Sequence, residues 1–552
     1  MKHHSGKNGK VHMLTIGFLV LLLAQAVLVG CAASARPTQE TTPEPITFTF
    51  YNEIGSEDPW TDPVARAITE ATGVTLETLY PSSGGADNIE LMIATAEYPD
   101  LIFSREDAGL LIDRGALTDL APLIEAYGPH IRELYGEDYE RLRSDSGAVY
   151  ILSADPVQNG TEGTSGSFQM QWAVLKYFDY RIPQSVDACT RMLRKYMGLH
   201  QKINGYPTIG ITISCSDWHW YNTLSEPSGS IGCGSEGDGQ WIVDEDGTVT
   251  YKHLAQGQKE FFFWLNQMYR EGILDPEFAT QSHEEYLKKI STGQVLALMD
   301  QRWDYEGAEK ALVAAGQLQH TYACLPVTME EGMVCRSLQP QPIASGWGIG
   351  ITKACKDPVR AVQFLDWLCS EEGQIMLHWG LEEVNYEKTE EGVRYRTPEE
   401  ISASLSDANY AAATGVGRHV FPFPTYGSRA LDAEGQPIAV PGEKNASLYY
   451  NLQQKEALEQ WKVSRLTDIF PQPEDLPAKT YTPLYARILP AELGKKKKEL
   501  DAIARDGLID CIVCPEEEFE ARWEALQKAL LDAGAEEAGA QMTELLRQEL
   551  GR

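Results

Sequence analysis

The sequence predicts an α/β protein built on doubly wound sheets, and three consecutive segments carry that prediction. In "PITFTFY", Ile46, Phe48 and Phe50 alternate with Thr47, Thr49 and Tyr51, the two-residue period of a half-buried strand. Asp62 and Pro63 then open an amphipathic helix with Val64, Ala67, Ile68 and Ala71 on one face, and Gly73 supplies its stop. Val74, Leu76 and Tyr80 begin a second extended run. Strand, helix and strand in that order make a crossover unit whose two strands run parallel.

The next elements continue the pattern. "NIELMIATA" reads as a helix and "YPDLIFS" as a third strand. Such sheets take ligands at the carboxyl edge of their strands. The loop "YNEIGSEDPW" behind the first strand therefore offers Asp58 and Trp60 as candidate binding residues, and the third strand offers Ser104 and Arg105. Asp62 is expected to act only as a cap.

From about residue 155 the texture changes. "VQNGTEGTSGSFQMQWAVLKYFDY" passes from a Gly/Ser/Thr-rich crossover into an amphipathic segment that carries Trp172. "YPTIGITI" is a strand ending at "SCSDWHWYN", with Asp217 and Trp218, and "WIVDEDGTVTYK" is a hairpin turning at Asp246-Gly247. Gln294 to Met299 form a strand that ends in Asp300 and Trp303. "SGWGIGITK", containing Trp347, is a further strand, followed by two helices of which Asp357-Pro358 open the first and Gly380 closes the second. Residues 400–552 are expected to be mostly helical, with the tetralysine 495–498 on a solvated face. There is no internal repeat.

The N-terminus gives an address. Lys2, Lys7 and Lys10 precede the apolar run "MLTIGFLVLLLAQAVLV", which ends at Gly30-Cys31, the layout of a secretory signal. Leu28-Val29-Gly30-Cys31 resembles the bacterial lipobox, which implies cleavage before Cys31 and diacylglycerol on its sulfur. "AASARPTQETTPEP" then reads as a solvated tether. The formal charge is −33, and it becomes −36 once residues 1–30 with their three lysines are removed. A balance that acidic argues against nucleic acid as a partner. Nine cysteines besides Cys31 lie at irregular spacing, and Cys511-Ile-Val-Cys514 lacks the strand-helix context of a redox motif, which leaves coincidence or a local disulfide.

Signatures of catalysis are missing. "SHEEYLKK" has Leu287 and Lys288 where a second zinc-binding histidine should stand, and neither a nucleophile elbow nor a phosphate loop occurs. Glu53 with Asp58, or Asp217 with Asp300, would make a glycosidase pair, but 80 acids produce such pairs by chance. No metal site and no cofactor are expected.

In order and spacing, "YNEIGSEDPW", "YPDLIFS", "MQWAVLKYFDY", "YPTIGI", "GQVLALMDQRWDY" and "ITKACKDPVRAVQFLDWLCSEEGQIMLHWGLE" resemble the extracellular solute-binding proteins of ABC transporters, with the large LipO-type lipoproteins of the family-1 group the nearest likeness. The resemblance spans about residues 45–390 and continues more weakly to the end. It implies a two-lobed type II periplasmic-binding-protein-like fold, each lobe a doubly wound sheet, with a helical C-terminal extension. It also implies a hinge of two or three crossovers and a ligand enclosed between the lobes. The expected division is a signal peptide at 1–30, a tether at 31–44, lobe one at 45–155 plus 340–395, and lobe two at 156–339 plus 396–552. In "GLEEVNY" the chain carries Glu383 where relatives often have Gly, which bears on any role for Tyr386.

A cleft for a polar, neutral solute needs aromatic faces beside hydrogen-bonding groups. Trp60, Trp172, Trp218, Trp220, Trp303 and Trp347 fall in loops or at element ends, and Asp58, Asp217 and Asp300 are acids that would accept from hydroxyls or meet an amine. Trp264, Trp367 and Trp379 fall within helices and are expected in the core. The expectation is a monomeric, non-enzymatic substrate-binding lipoprotein, lipid-anchored at the extracytoplasmic face of the cell membrane, that hands an oligosaccharide to the transmembrane subunits of an ABC permease. The alternatives are a peptide or amino-sugar binder and a surface glycoside hydrolase.

Overall fold

The structure, a computed structural model, describes residues 44–551 except 54–58, 82–86, 106, 145, 160–165, 236–237, 340–341 and 344–345. Nine strands make its two main sheets: β1 (Ile46–Asn52), β2 (Val74–Leu79), β3 (Leu101–Ser104), β4 (Leu152–Ser153), β5 (Phe168–Gln171), β6 (Ile209–Thr212), β7 (Val295–Met299), β8 (Tyr322–Leu325) and β9 (Gly348–Ile351). The first sheet has the order β2-β1-β3-β9-β4 and the second β8-β5-β7-β6.

The opening crossover unit forms as its sequence dictates. Asp62 Oδ1 accepts from the Ala65 backbone N–H at 2.9 Å, Pro63 occupies the first helical position, and Gly73 turns the chain out at φ 71°. β1 then pairs parallel with β2 from Ile46–Val74 onward and with β3 from Phe50–Leu101. Each sheet holds one strand against the grain. β9 is antiparallel to β3 and β4, and β5 is antiparallel to β7 and β8.

These two reversed strands orient the lobes. The link from Ser153 to Phe168 leaves the carboxyl edge of the first sheet and enters the second beside Met299, which is a carboxyl end too. The link from Leu325 to Gly348 makes the return journey between the same two edges. Both crossovers therefore tie the carboxyl edge of one sheet to that of the other.

Packing corrects the expected division of the chain after residue 395. Tyr410, Val416 and Phe423 join the first core with Phe48, Val64 and Phe364, and the second core takes up the chain again from Ala457. The tie is polar: His419 Nε2 lies 2.7 Å from Asp62 Oδ2, inside the first lobe. A helical pattern cannot show which lobe a helix will join. The C-terminal helices Ala491–Val513, Glu516–Asp532 and Ala535–Glu549 pack on the second lobe. There Asn266 donates its amide to the terminal carbonyls of Cys511, Ile512 and Cys514 at 2.8–3.1 Å.

Three further expectations are refined. The tetralysine is solvated only in part: Lys495 and Lys498 are exposed, but Lys497 is buried against Asp501 at 2.8 Å, and Lys498 reaches Asp107 of the first lobe at 2.8 Å. Of the two readings of Cys511 and Cys514, the disulfide falls away and coincidence stands, since both are buried free thiols. "FQMQ" is the strand β5, where an amphipathic segment was expected. Among the described residues no helix is long and apolar enough to cross a membrane, and Cys31 with the lipobox lies outside them.

Candidate ligand-binding site

The carboxyl edge of the first sheet brings together Glu53, Ser104, Arg105 and Trp347. Glu53 follows β1, and its carboxylate accepts from the Arg105 backbone N–H at 2.9 Å and from its guanidinium at 3.3 Å. This acid of the opening loop thus ties two edge loops together, and Arg105 is committed to it. Ser104 ends β3, fully buried, and its hydroxyl has no partner among the described residues. Trp347 enters β9 beside it, since Gly348 pairs with Ser104. The indole N–H of Trp347 is likewise buried without a partner among the described residues, while its ring meets Tyr485 at 5.5 Å. A buried donor without an acceptor is costly unless a ligand or water supplies one.

The second sheet presents an aromatic platform at its own carboxyl edge. β6 leads to Asp217, which sits at φ 45°, a left-handed backbone that costs a non-glycine residue roughly 1–2 kcal/mol. The turn carries Trp218 and His219. Behind β7, Trp303 lies in the first turn of the helix Arg302–Ala314 and stacks on Trp218 with centroids 5.9 Å apart and planes at 24°. Trp303 is 59% exposed, so this aromatic face is open to solvent. Gln301 donates to Glu226 at 2.8 Å on the same edge. Burial pushes the Glu226 carboxyl up, against the opposing pull of Gln301 and Lys252.

Below the platform lies an ionisable group of four. Asp300 is buried and accepts from Tyr286 Oη at 2.8 Å and from the Gln301 N–H at 2.7 Å, so it supports the edge and does not present itself to a ligand. Burial first, and the charge of Asp304 second, push its carboxyl well up. Burial pushes Asp304 up as well. The imidazoles of His219 and His283 stack at 3.7 Å, and burial lowers both, His283 to about 4.

Several sequence candidates stand elsewhere. Trp60 is 8% exposed and belongs to the first core, with Phe364 and Phe423 at 6.3 Å and His419 at 4.5 Å. Its contacts come from residues some 300 positions away, which its own loop cannot announce. Trp172 is fully buried against Trp461. Because β5 runs against its neighbours, Phe168 stands at the carboxyl edge and Trp172 beyond the opposite one. Tyr386 is buried edge-on against Trp379. Asp58 lies outside the described residues. The residues that sequence reasoning missed are Glu226, Gln301, His219, His283 and Asp304; "SCSDWHWYN" and "SHEEYLKK" held the histidines, but nothing in either string announces that they meet.

A shallow concavity of about 500 Å³ lies along the helix Val186–Leu199, lined by Phe178, Gln184, Arg191 and Lys195 among others. It contains none of the edge residues. The sheet edges carry the open aromatic face and the unpartnered donors, and so form the candidate site.

Comparison with known proteins places the fold. The family model for bacterial extracellular solute-binding proteins matches residues 64–381, more than half of the chain. A fructooligosaccharide ABC transporter substrate-binding protein, FusA of Streptococcus pneumoniae serotype 4, is 22% identical over 294 residues, which cover 49% of this chain. That alignment spans about half of the relative, 54% of its length. Among solved structures, alginate-binding protein AlgQ2 superposes with a TM-score of 0.66 at 16% identity over 93% of this chain and 99% of that one. FusA of S. pneumoniae in complex with kestose gives 0.65 at 16% identity over 92% and 100%. A solute-binding protein from Bifidobacterium longum infantis, described as binding HMO, gives 0.63 at 15% identity over 92% and 99%. These likenesses share the two-lobed α/β architecture, and the family is one of binding proteins and not of enzymes. By the match to its family model, the chain belongs to the bacterial extracellular solute-binding proteins.

Proposed function

We propose that this chain is a membrane-anchored, extracytoplasmic lipoprotein that captures an oligosaccharide and delivers it to an ABC permease. One observation carries the ligand class: the open Trp218–Trp303 stack on one sheet edge, set across the crossovers from an edge where Ser104 and Trp347 hold donors without partners among the described residues. A sugar ring has a C–H face for the stack and hydroxyl oxygens for the donors. The fructooligosaccharide, alginate and HMO named for the similar proteins support the same class.

Capture would work by hinge closure. A solute that touches both edges only when the lobes approach binds the closed state more tightly and shifts the population toward it. Anchoring through Cys31 and handover to a permease rest on the lipobox and on the transporter named for the relative.

The test is a thermal-shift and calorimetric panel of neutral fructo- and milk-type oligosaccharides, alginate oligomers, amino sugars and short peptides. A ligand at about 100 times its dissociation constant adds ~2.7 kcal/mol. Trp303→Ala should weaken that ligand at least tenfold, since a desolvated aromatic contact is worth ~2 kcal/mol or more. Stabilisation by peptides or amino sugars alone would replace the oligosaccharide reading.

A further inference from the structure

The Pro-rich stretch "HVFPFPTYGS", residues 419–428, is fixed along the first lobe by contacts at nearly every residue. His419 is held by Asp62, Phe423 packs inward on Phe50 with centroids 5.7 Å apart, and Gln374 donates to the Pro424 carbonyl at 3.0 Å. Thr425 Oγ1 lies 2.8 Å from His378 Nε2, and the Thr425 carbonyl accepts from the Val157 N–H of the first crossover at 2.9 Å. Pro422 to Thr425 are buried. Phe421, at the head of that buried run, is 42% exposed.

The exposed ring has a definite place. It meets Phe103 in a T-shaped contact, with centroids 5.1 Å apart and planes at 75°. Phe103 is the last residue but one of β3, the central strand of the first sheet, and it precedes Ser104, whose hydroxyl has no partner among the described residues. β9 pairs Ile349 with Phe103 and Gly348 with Ser104, which brings Trp347 and its unmatched N–H to the same edge. One aromatic ring and two donors therefore gather at the end of one strand pair. Single exposed apolar side chains are common on protein surfaces, and what sets this one apart is its position and its fixed backbone. With the flanking residues buried and bonded, cover from outside is what removes the remaining ring surface from water.

We propose that Phe421 is the first lobe's stacking residue for the solute, the counterpart across the cleft of Trp218 and Trp303 on the second lobe. This assignment rests on the oligosaccharide reading above. The Phe421 ring takes the C–H patch of one sugar unit, and Ser104 and Trp347 donate to its hydroxyl oxygens. It stands where the opening loop was expected to supply Trp60, whose own ring is turned into the core against Phe423. With aromatic surface on both edges, a sugar is covered on both sides only when the lobes approach. Phe421 therefore contributes to the closed state and adds little to the open one. Its side chain brings no hydrogen-bonding group, so it holds a sugar ring without choosing among hydroxyl arrangements, and that choice falls to the donors beside it.

The experiment titrates the full mature chain with kestose, an alginate trisaccharide and lacto-N-tetraose by calorimetry, and follows the radius of gyration by solution scattering with and without each sugar. Phe421→Ala should weaken whichever of these sugars the wild type binds at least tenfold and reduce the compaction that the sugar produces. Its sugar-free melting temperature should stay close to that of the wild type, because the ring is exposed. Phe421→Tyr keeps the ring and should keep the affinity. Should Phe421→Ala not fold, Phe421→Leu, which preserves apolar cover on Phe103, decides in its place. Unchanged affinity in the Phe421 variant beside a tenfold loss in Trp303→Ala would overturn this assignment and leave the oligosaccharide reading standing. Binding of none of the three sugars by the wild type would remove that reading, and the role of Phe421 with it.

Discussion

Trp60 donates its indole N–H to Thr69 Oγ1 at 3.0 Å and packs among Phe364, His419 and Phe423, so truncation removes contacts with three segments at once. Replacing a buried tryptophan by alanine typically costs ~3–5 kcal/mol. Trp60→Ala should therefore lower the ligand-free melting temperature by several degrees and leave solute affinity nearly unchanged, which calorimetry on one protein sample checks. Its neighbour Asp62 sets a pH dependence. Burial raises its carboxyl, but the His419 hydrogen bond, the Ala65 N–H and the charges of His419 and Arg418 outweigh that and hold it below its ordinary value. A carboxyl lowered on folding stabilises above its unfolded value of about 3.9 and loses that contribution as pH falls through the folded value. Melting curves between about pH 5 and pH 2 should show a smaller acid loss in Asp62→Asn than in the wild type, and identical slopes would refute this. The cap role of Asp62 was legible because its partner is three residues away. The place of Trp60 was not, because its partners arrive from residues 364 to 423.

At the scale of elements, legibility followed side-chain polarity. β7 reads as a strand from its unbroken apolar run, and the hairpin at Asp246-Gly247 reads from its turn, where Gly247 takes φ 82°. β5 stayed hidden because two of its four residues are glutamines. Gln169 and Gln171 are fully buried, the first pairing its amide with the Asp300 backbone and the second donating to the carbonyls of Gly293 and Val295. A polar residue fully satisfied across a sheet looks in sequence like one that belongs in a loop. The helix Ala491–Val513 was legible as a helix, but its buried polar contacts were not: Asp501 accepts from Lys497 at 2.8 Å, from Tyr221 Oη at 2.7 Å and from Tyr251 Oη at 2.8 Å. Removing one partner of a buried ion pair costs ~3–5 kcal/mol, because the charge left behind has no counterpart. Asp501→Ala should destabilise the chain by about that amount in urea titration, whereas Lys496→Ala, at an exposed pair, should move it by less than ~1 kcal/mol.

For the whole molecule, the lobes meet beyond their crossovers. Lys498 reaches Asp107, and the first-lobe Gly109 lies so close to the second-lobe carbonyl of Leu489 that an added Cβ would stand 1.9 Å from its oxygen. Gly109→Ala cannot keep that approach. It should hold the lobes further apart, raise the radius of gyration in solution scattering and weaken solute binding, with both sheets intact by circular dichroism. An unchanged radius with unchanged affinity would show that the contact is irrelevant to closure. The two-lobed plan was legible from the ordered segments up to residue 390, but the approach at Gly109 depends on a backbone carbonyl and leaves no mark in composition.

The discontinuity of both lobes also governs how the chain can be made. β9 completes the first sheet only after residue 351, Tyr410 and Phe423 complete its core, and the second core waits for residues 457–546. A nascent chain emerging in order therefore carries strands of both sheets for hundreds of residues before either can close, a long interval in which unpaired edges invite aggregation. Early termination anywhere before about residue 423 should leave two unfinished cores, visible as uniform susceptibility to a nonspecific protease with no resistant fragment.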